Sequence, residues 1–145
     1  MKPKKQKKKL SKQKLTSRWS TKKPLYVEKN DKRYKKYAKQ LKKNGFCDTE
    51  TWNLGYAIVE FALPRLKRFR EILAGYPYGD DMNGGEMTQE KWSKILDKMI
   101  FAFEWALLTG DNKDVNLPDK VRKENWKKYE EGMRLFSEWI LNLWW

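Results

Sequence analysis

Basic residues are concentrated at the start of this 145-residue sequence. Residues 1–44 contain 19 Lys and Arg against 2 acidic residues, whereas residues 45–145 contain 14 against 17. The net charge is therefore +17 in the first part and −3 in the second. A segment with so much like charge and so few apolar residues cannot bury enough surface to offset its chain entropy. We therefore predict a disordered basic tail over residues 1–30 and a helical domain over residues 31–145.

The apolar residues of the predicted domain recur at intervals of three and four, which is the spacing of one helix face. No stretch shows the sustained alternation of a strand. Capping residues before the apolar runs and Gly after them mark four helical segments: residues 31–43, residues 48–75 with a kink at Pro64, residues 88–110, and residues from 118 to the C-terminus. The predicted fold class is all-α, a small bundle of three long helices with a shorter basic helix.

Two of these segments carry more apolar residues than one face needs. In the segment 48–75, one apolar stripe begins at Trp52 and a second at Leu54. In the segment 88–110, Phe101, Trp105 and Leu108 lie opposite the main stripe, so this helix is either central in the bundle or presents a second face to a partner. The C-terminal Trp144 and Trp145 are the alternative partner surface, although the cluster that they form with Trp139 favours a docked core helix.

The composition excludes several classes of enzyme and metal protein. The chain has no His and one Cys, Cys47, which rules out a Ser-His-Asp triad, His-ligated zinc, a thiolate metal cluster and an intrachain disulfide. No convincing catalytic set remains, so we predict a non-enzymatic protein without a cofactor. The longest apolar runs are far shorter than the roughly 20 residues of a membrane span, which predicts a soluble protein in the cytoplasm.

The basic residues predict a nucleic-acid-binding arm. Clustered Lys neutralise phosphates and release counterions without reading sequence, so DNA and RNA are equal candidates. Trp19, Tyr26, Tyr34 and Tyr37 lie among the cations, where they are candidates for stacking on bases. A merely solubilising tail is the alternative. The predicted nucleic-acid-binding residues are Lys4, Lys5, Lys7, Lys8, Lys9, Lys12, Lys14, Arg18, Trp19, Lys22, Lys23, Lys35, Lys36 and Lys39.

A second basic cluster follows Pro64 and consists of Arg65, Lys67, Arg68 and Arg70. It either extends the nucleic-acid surface or forms a solvated helix face. Asp97 and Glu104 lie seven residues apart, hence on one side of a helix, and Arg65 is the predicted partner of a buried structural ion pair with them. The di-iron pattern of Glu-x-x-His is excluded because the chain has no His.

The loop after the second long segment contains Tyr78-Gly79-Asp80-Asp81, which matches a polymerase tetrapeptide. The flanking strands of a polymerase hairpin are missing from the pattern, so we interpret the match as coincidence. Asp81 and Asn83 fit two positions of a calcium-binding loop, but Gly85 and Trp92 stand where a third ligand and the final Glu are required. The loop therefore predicts a flexible polar connection and no metal site.

Four stretches of the sequence are similar to a group of small uncharacterised phage and prophage proteins. They are Glu50-Thr51-Trp52, residues 61–69 (FALPRLKRF), Gly75-Tyr76-Pro77 and residues 92–104 (WxxILDKMIxAFE). The resemblance covers about residues 46–107. It implies a viral origin, a bacterial host cytoplasm and an accessory role, and it brings no assigned catalytic or binding residues.

Together these observations predict an accessory protein that binds nucleic acid through phosphate contacts of a Lys-rich arm. The alternative is a protein–protein interaction module, such as a host-directed inhibitor or an assembly factor, that uses an apolar face of the bundle. The oligomeric state is open in both interpretations.

Overall fold

The computed structural model describes residues 23–144. Over that range the chain is helical, and the isolated bridge between Asp80 and Glu86 is the only strand-like pairing. The helices are α1 (Tyr34–Asn44), α2 (Asp48–Trp52), α3 (Leu54–Ile72), α4 (Gln89–Gly110) and α5 (Asp119–Trp139), followed by a short 3₁₀ helix (Ile140–Asn142). None of these helices is long and apolar enough to cross a lipid bilayer. The prediction of an all-α helical bundle is confirmed.

The chain divides into two compact units, Met1–Ala57 and Ile58–Trp145. The boundary falls within α3, whereas the charge pattern places it after residue 30. Pro24 is buried, and the carbonyl oxygen of Leu25 accepts a hydrogen bond from the Thr49 hydroxyl at 2.6 Å. Residues 24 and 25 therefore belong to the packing of the first unit and not to a tail. The earlier part of the predicted tail, residues 1–22, lies outside the described residues.

α1 is an amphipathic helix that buries Tyr37 and Leu41 on its apolar side. It ends at Gly45, which has a φ of 86° and donates its N–H to the carbonyl of Leu41 at 2.8 Å. Positive φ is nearly free of strain only for Gly, which is why this residue stops the helix. The predicted end at Asn44–Gly45 is confirmed, and the helix begins three residues after the predicted start at 31.

Side-chain hydrogen bonds fix the corner between α1 and α2. The Gln40 amide donates to the Asp48 carboxylate at 2.6 Å and accepts the backbone N–H of Asp48 at 3.0 Å. The Glu50 carboxylate accepts the backbone N–H of Cys47 at 3.1 Å, which forms one half of a capping box at the start of α2. These bonds satisfy N–H groups that a helix start otherwise leaves unpaired.

α2 and α3 are separate helices, whereas the sequence pattern predicts one helix over 48–75. Asn53 interrupts the segment with φ −125° and ψ 51°, outside the helical region. Asn competes for local backbone hydrogen bonds and Gly55 follows two residues later, so helix propensity is low at this point. Pro64 lies inside α3, and the kink predicted there stays a prediction.

α4 is the central helix of the second unit. Its buried residues are Trp92, Leu96, Met99, Ala102, Phe103 and Trp105. Its first half packs with Leu135 and Trp139 of α5, and its second half packs with Val59, Leu63 and Leu66 of α3. Aromatic contacts between α4 and α5 run along the interface, with ring centroids 5.5 Å apart for Trp92–Trp139 and 4.9 Å apart for Phe103–Phe136. The predicted start and end of α4 at Thr88 and Gly110 are confirmed.

α4 and α5 approach each other closely at Gly132, which is buried in the middle of α5. A Cβ atom at this position would overlap the carbonyl oxygen of Lys98 and lie 2.6 Å from the Cβ of Ala102. Gly therefore allows the backbones of the two helices to come close, at the expense of lower helix propensity in α5.

Candidate nucleic-acid interface

Four lysines of α1 lie on one side of the helix, opposite its buried side. They are Lys35, Lys36, Lys39 and Lys43, and together with Gln40 they line a shallow depression of about 400 Å³. Their spacing of one, three and four residues places them on a single helix face. We name these four residues the lysine face. All four are exposed, so their ammonium groups create a local positive potential that attracts an anionic polymer.

Few carboxylates balance the lysine face. Lys36 Nζ lies 4.0 Å from Asp48 Oδ2, an oxygen that already accepts a hydrogen bond from Gln40. Within residues 23–144, Lys35, Lys39 and Lys43 form no ion pair. Their charges therefore are not compensated by described carboxylates and are available to phosphate groups.

The residues just before α1 form a local ion pair. Arg33 donates to the Asp31 carboxylate from Nε at 3.0 Å and from Nη2 at 2.8 Å, and its backbone N–H donates to Oδ1 at 2.7 Å. The side-chain hydrogen bonds from Arg33, followed by the backbone bond, lower the pKa of Asp31 to about 2. The same contact raises the pKa of Arg33. Because its charge is already paired, Arg33 is less available to an anion than the lysines of the lysine face are.

The aromatic residues predicted to stack on bases differ in exposure. Tyr37 is 2% exposed, so the prediction that it stacks on a base is wrong, because its ring forms part of the core of the first unit. Tyr34 is half-buried, and Tyr26 packs edge to face against Tyr56 at 6.3 Å between ring centroids. Trp19 lies outside the described residues.

Trp52 is an exposed aromatic residue near Arg33. The spacing of the apolar residues predicts instead that it belongs to a packing stripe of the helix. Its side chain is 65% exposed. Its ring meets the ring of Tyr37 edge to face at 6.1 Å, and the guanidinium of Arg33 lies 5.8 Å from its centroid. The helix break at Asn53 separates Trp52 from the buried stripe of α3, and Asn53 and Gly55 are the sequence signal for that break.

Most of the predicted arm precedes the residues that the structure describes. Lys4, Lys5, Lys7, Lys8, Lys9, Lys12, Lys14, Arg18 and Lys22 lie outside the described residues. Lys23 is the first described residue and is exposed. The structure therefore brings together one part of the predicted binding set, the lysines of α1, and adds Lys43 to them.

The second basic cluster is largely paired with carboxylates. The pairs are Lys67 with Glu104 at 2.5 Å, Arg68 with Glu71 at 3.1 Å and Arg70 with Asp97 at 2.9 Å. Its local charge is thus nearly balanced, and the alternative of a solvated helix face fits these contacts better than a phosphate-binding surface does.

The prediction that Arg65 forms an ion pair with Asp97 or Glu104 is wrong, because Asp97 pairs with Arg70 and Glu104 pairs with Lys67. Arg65 is exposed and donates to the carbonyl of Phe61 at 2.7 Å. The Asp97 and Glu104 side chains are 58% and 46% exposed, so the pairs lie at the surface. Surface pairs of this kind contribute about 0–1 kcal/mol to stability, not the larger amount predicted for a buried pair.

The candidate partner face of α4 packs inside the second unit. Trp105 is 3% exposed and meets Trp126 of α5 edge to face at 6.0 Å. Lys128 Nζ lies 5.6 Å from the ring centroid of Phe101, and Leu108 is half-buried. The central-helix alternative is therefore confirmed, and the prediction of Trp105 as a docking residue is wrong. Trp144 is 70% exposed, and Trp145 lies outside the described residues.

In the loop with the polymerase-like tetrapeptide, the side chain of Asp81 accepts hydrogen bonds from several neighbouring residues. Its Oδ1 accepts the backbone N–H groups of Asn83 at 2.9 Å and Gly85 at 3.0 Å, and its Oδ2 accepts from Lys91 at 2.6 Å. These bonds, with that of Lys91 first, lower the pKa of Asp81 to about 2. Both carboxylate oxygens of Asp81 therefore already accept hydrogen bonds from the loop and from Lys91. Within residues 23–144, no group of three or more His, Cys, Asp or Glu could hold a metal ion.

Comparison of the chain with protein-family models, curated proteins and solved structures finds no match. The resemblance to phage and prophage proteins therefore stays a prediction.

Proposed function

We propose that this protein binds nucleic acid through phosphate contacts, without reading sequence and without enzymatic activity. The observation that supports the proposal is the lysine face, where four exposed ammonium groups share one side of α1 and a single carboxylate, Asp48, lies within 4.0 Å of one of them. The Lys-rich residues 1–23 add eleven cations and no acid to the same part of the chain.

Phosphate binding accounts for the difference between α1 and the cluster after Pro64. Both are basic in sequence, yet Lys67, Arg68 and Arg70 of the second cluster have carboxylate partners. A cation already paired with a carboxylate releases fewer counterions when a phosphate arrives, so it adds less affinity. We therefore assign the interface to the lysine face and the arm, and leave the second cluster out of it.

The test is a triple substitution, Lys35→Gln, Lys39→Gln and Lys43→Gln, in the full chain. Each lost phosphate contact reduces the log–log salt slope by about 0.9 on duplex DNA, so three lost contacts lower the affinity by about 500-fold at roughly 0.1 M salt. Fluorescence anisotropy with a labelled 20-base-pair duplex measures the change.

A matched control removes the same charge elsewhere. Lys120, Lys123 and Lys127 lie on one exposed side of α5, and replacing them with Gln gives the same net charge. We expect the control variant to bind within about threefold of the natural protein, since only long-range attraction is reduced. Equal losses in the two triple variants would contradict a local interface on α1.

A second candidate function is protein binding near the C-terminus. Trp144 is 70% exposed and lines a cavity of about 280 Å³ together with Tyr76, Pro77 and the buried Trp92. This is the apolar surface that supports the alternative of a host-directed inhibitor or assembly factor. The resemblance to phage and prophage proteins leads us to propose an accessory role in a bacterial cytoplasm for either function.

A further inference from the structure

Trp52 is the most exposed large aromatic side chain of the first unit's described residues, at 65%. The neighbouring Tyr37, which also lies in this unit, is 2% exposed. Burying a ring such as Trp stabilises a fold by a few kcal/mol, so an indole left in solvent does not serve the core. A single exposed ring needs no explanation by itself, but the surroundings of this one are unusual.

The indole of Trp52 is held in position by its neighbours. Tyr37 meets it edge to face at 6.1 Å, and the Arg33 guanidinium lies 5.8 Å from its centroid. Arg33 is in turn fixed by Asp31 through two side-chain hydrogen bonds at 3.0 and 2.8 Å. A ring that is already ordered loses little conformational entropy when a planar ligand stacks on it.

The ring of Tyr37 contacts both the indole and one lysine of the lysine face. Lys36 belongs to the lysine face, and its Nζ lies 5.7 Å from the ring centroid of Tyr37, the ring that contacts Trp52. The site thus combines an exposed aromatic ring with the cations of Arg33 and Lys36, and Lys36 belongs to a helix face that carries three further lysines. A nucleotide has the matching pair of features, a flat base and a phosphate joined through one sugar.

We propose that Trp52 is a stacking site for an unpaired nucleobase, and that the first unit therefore takes single-stranded nucleic acid. The inference rests on the proposed function, because the lysine face supplies the phosphate contacts. A duplex offers its phosphates to the lysines but hides the faces of its bases within the stack, whereas a single strand offers both. The chemistry of stacking is shared by DNA and RNA.

Trp52→Leu is the main test, because Leu keeps an apolar contact with Tyr37 but removes the flat ring. Fluorescence anisotropy of the full chain compares a 20-nucleotide oligo-dT, a 20-nucleotide oligo-U and a 20-base-pair duplex. We expect Trp52→Leu to weaken binding of the single strands about tenfold, which is within the range for loss of one stacked base, and to change duplex binding less than twofold. Equal losses on dT and U indicate stacking alone, and a larger loss on one of them identifies the preferred nucleic acid.

Two further variants make the result specific. Trp52→Phe keeps an aromatic ring, so we expect it to retain single-strand affinity within about threefold. Trp144→Leu removes an equally exposed Trp from the second unit and is expected to bind all three probes as the natural protein does. Circular dichroism of each variant confirms that the helices are retained.

The outcomes separate this inference from the proposed function. Equal weakening of single strands and duplex by Trp52→Leu, or no weakening of either, would overturn the stacking site. The lysine triple variant, measured on the duplex, tests the proposed function independently of Trp52. If the natural protein binds neither strands nor duplex at low salt, the proposed function fails, and the inference fails with it.

Discussion

The two units of the chain differ in how their charges are balanced. Residues 1–57 contain 19 basic and 4 acidic residues, whereas residues 58–145 contain 14 basic and 15 acidic residues. In the second unit, ion pairs such as Lys98–Glu131 and Arg134–Glu138 join most of the cations to carboxylates. In the first unit the described pairs are Arg33–Asp31 and Lys36–Asp48. The comparison shows that basic residues of the second unit lie mostly beside carboxylates, whereas Lys35, Lys39 and Lys43 of the first unit have no carboxylate partner among residues 23–144.

The units also differ in what stabilises them. The described core of the first unit is small, with Pro24, Tyr37, Leu41 and Cys47 as its buried apolar residues and hydrogen bonds at the α1–α2 corner. The second unit is built around Trp, Leu, Met and Phe side chains of α4. Apolar burial contributes about 25 cal/mol per Å², so the second unit has the larger driving force for folding. Stability is therefore concentrated in one unit and the candidate interface in the other.

The largest effect on stability is predicted for Trp105, and it tests whether this residue belongs to the core of the second unit. Trp105→Ala is expected to lower the free energy of unfolding by about 3–5 kcal/mol, because it removes a buried ring that packs on Trp126. Trp144→Ala, which removes an exposed ring, is expected to change it by less than about 0.5 kcal/mol. Urea denaturation followed by circular dichroism measures both, and similar values for the two variants would show that Trp105 is not a core residue.

Smaller effects on stability are predicted for a Gly→Ala substitution, made at Gly132 in the second unit and at Gly55 in the first. Gly132→Ala places a Cβ against the Lys98 carbonyl oxygen and is expected to destabilise the protein by about 1–3 kcal/mol, despite the higher helix propensity of Ala. Gly55→Ala meets nothing within 4 Å, so we expect it to be neutral or stabilising by up to about 1 kcal/mol. Thermal unfolding distinguishes the two, and a stabilising Gly132→Ala would contradict the close approach of α4 and α5.

The smallest effect concerns pH, since each unit has one carboxylate whose pKa is lowered to about 2 by a basic neighbour. Asp81 is held there by Lys91 and two backbone N–H groups, and Asp31 by Arg33. Because the folded-state pKa values lie below the ordinary value of 3.8, the stabilisation is complete above about pH 4 and is lost as the pH falls towards 2. Lys91→Met is expected to raise the pKa of Asp81 and leave that of Asp31 unchanged. Carboxyl titration by NMR checks this, and an Asp81 pKa near 3.8 in the natural protein would refute it.

Local sequence signals were sufficient to predict most of the helices. Thr88 accepts the backbone N–H of Lys91 at 3.2 Å at the start of α4, as its position before an apolar run predicts. Gly45 ends α1 with positive φ, as the Asn-Gly pair predicts. Such caps depend on a few neighbouring residues, so they can be recognised without knowledge of the tertiary structure.

The features that sequence reasoning missed depend on contacts between distant residues. Arg70 and not Arg65 meets Asp97, because the rotation of α3 against α4 decides which cation faces the carboxylate. Tyr37 is buried and Trp52 is exposed although both are aromatic residues of the first unit, and the helix break at Asn53 separates Trp52 from the stripe that the spacing predicts. The spacing of apolar residues in α1 and α2 does not predict the angle between these helices. It does not predict the close approach of α4 and α5 at Gly132 either.

The most direct test of the central claim, that the basic unit binds nucleic acid through phosphates, is the salt dependence of binding by the full chain. Anisotropy of a labelled 20-base-pair duplex is measured from low to physiological salt, with the lysine triple variant alongside. If about six phosphates are neutralised, the plot of log affinity against log salt has a slope near −5, and the triple variant reduces that slope by about 2.7. A slope near zero, or equal slopes for the two proteins, would contradict the account.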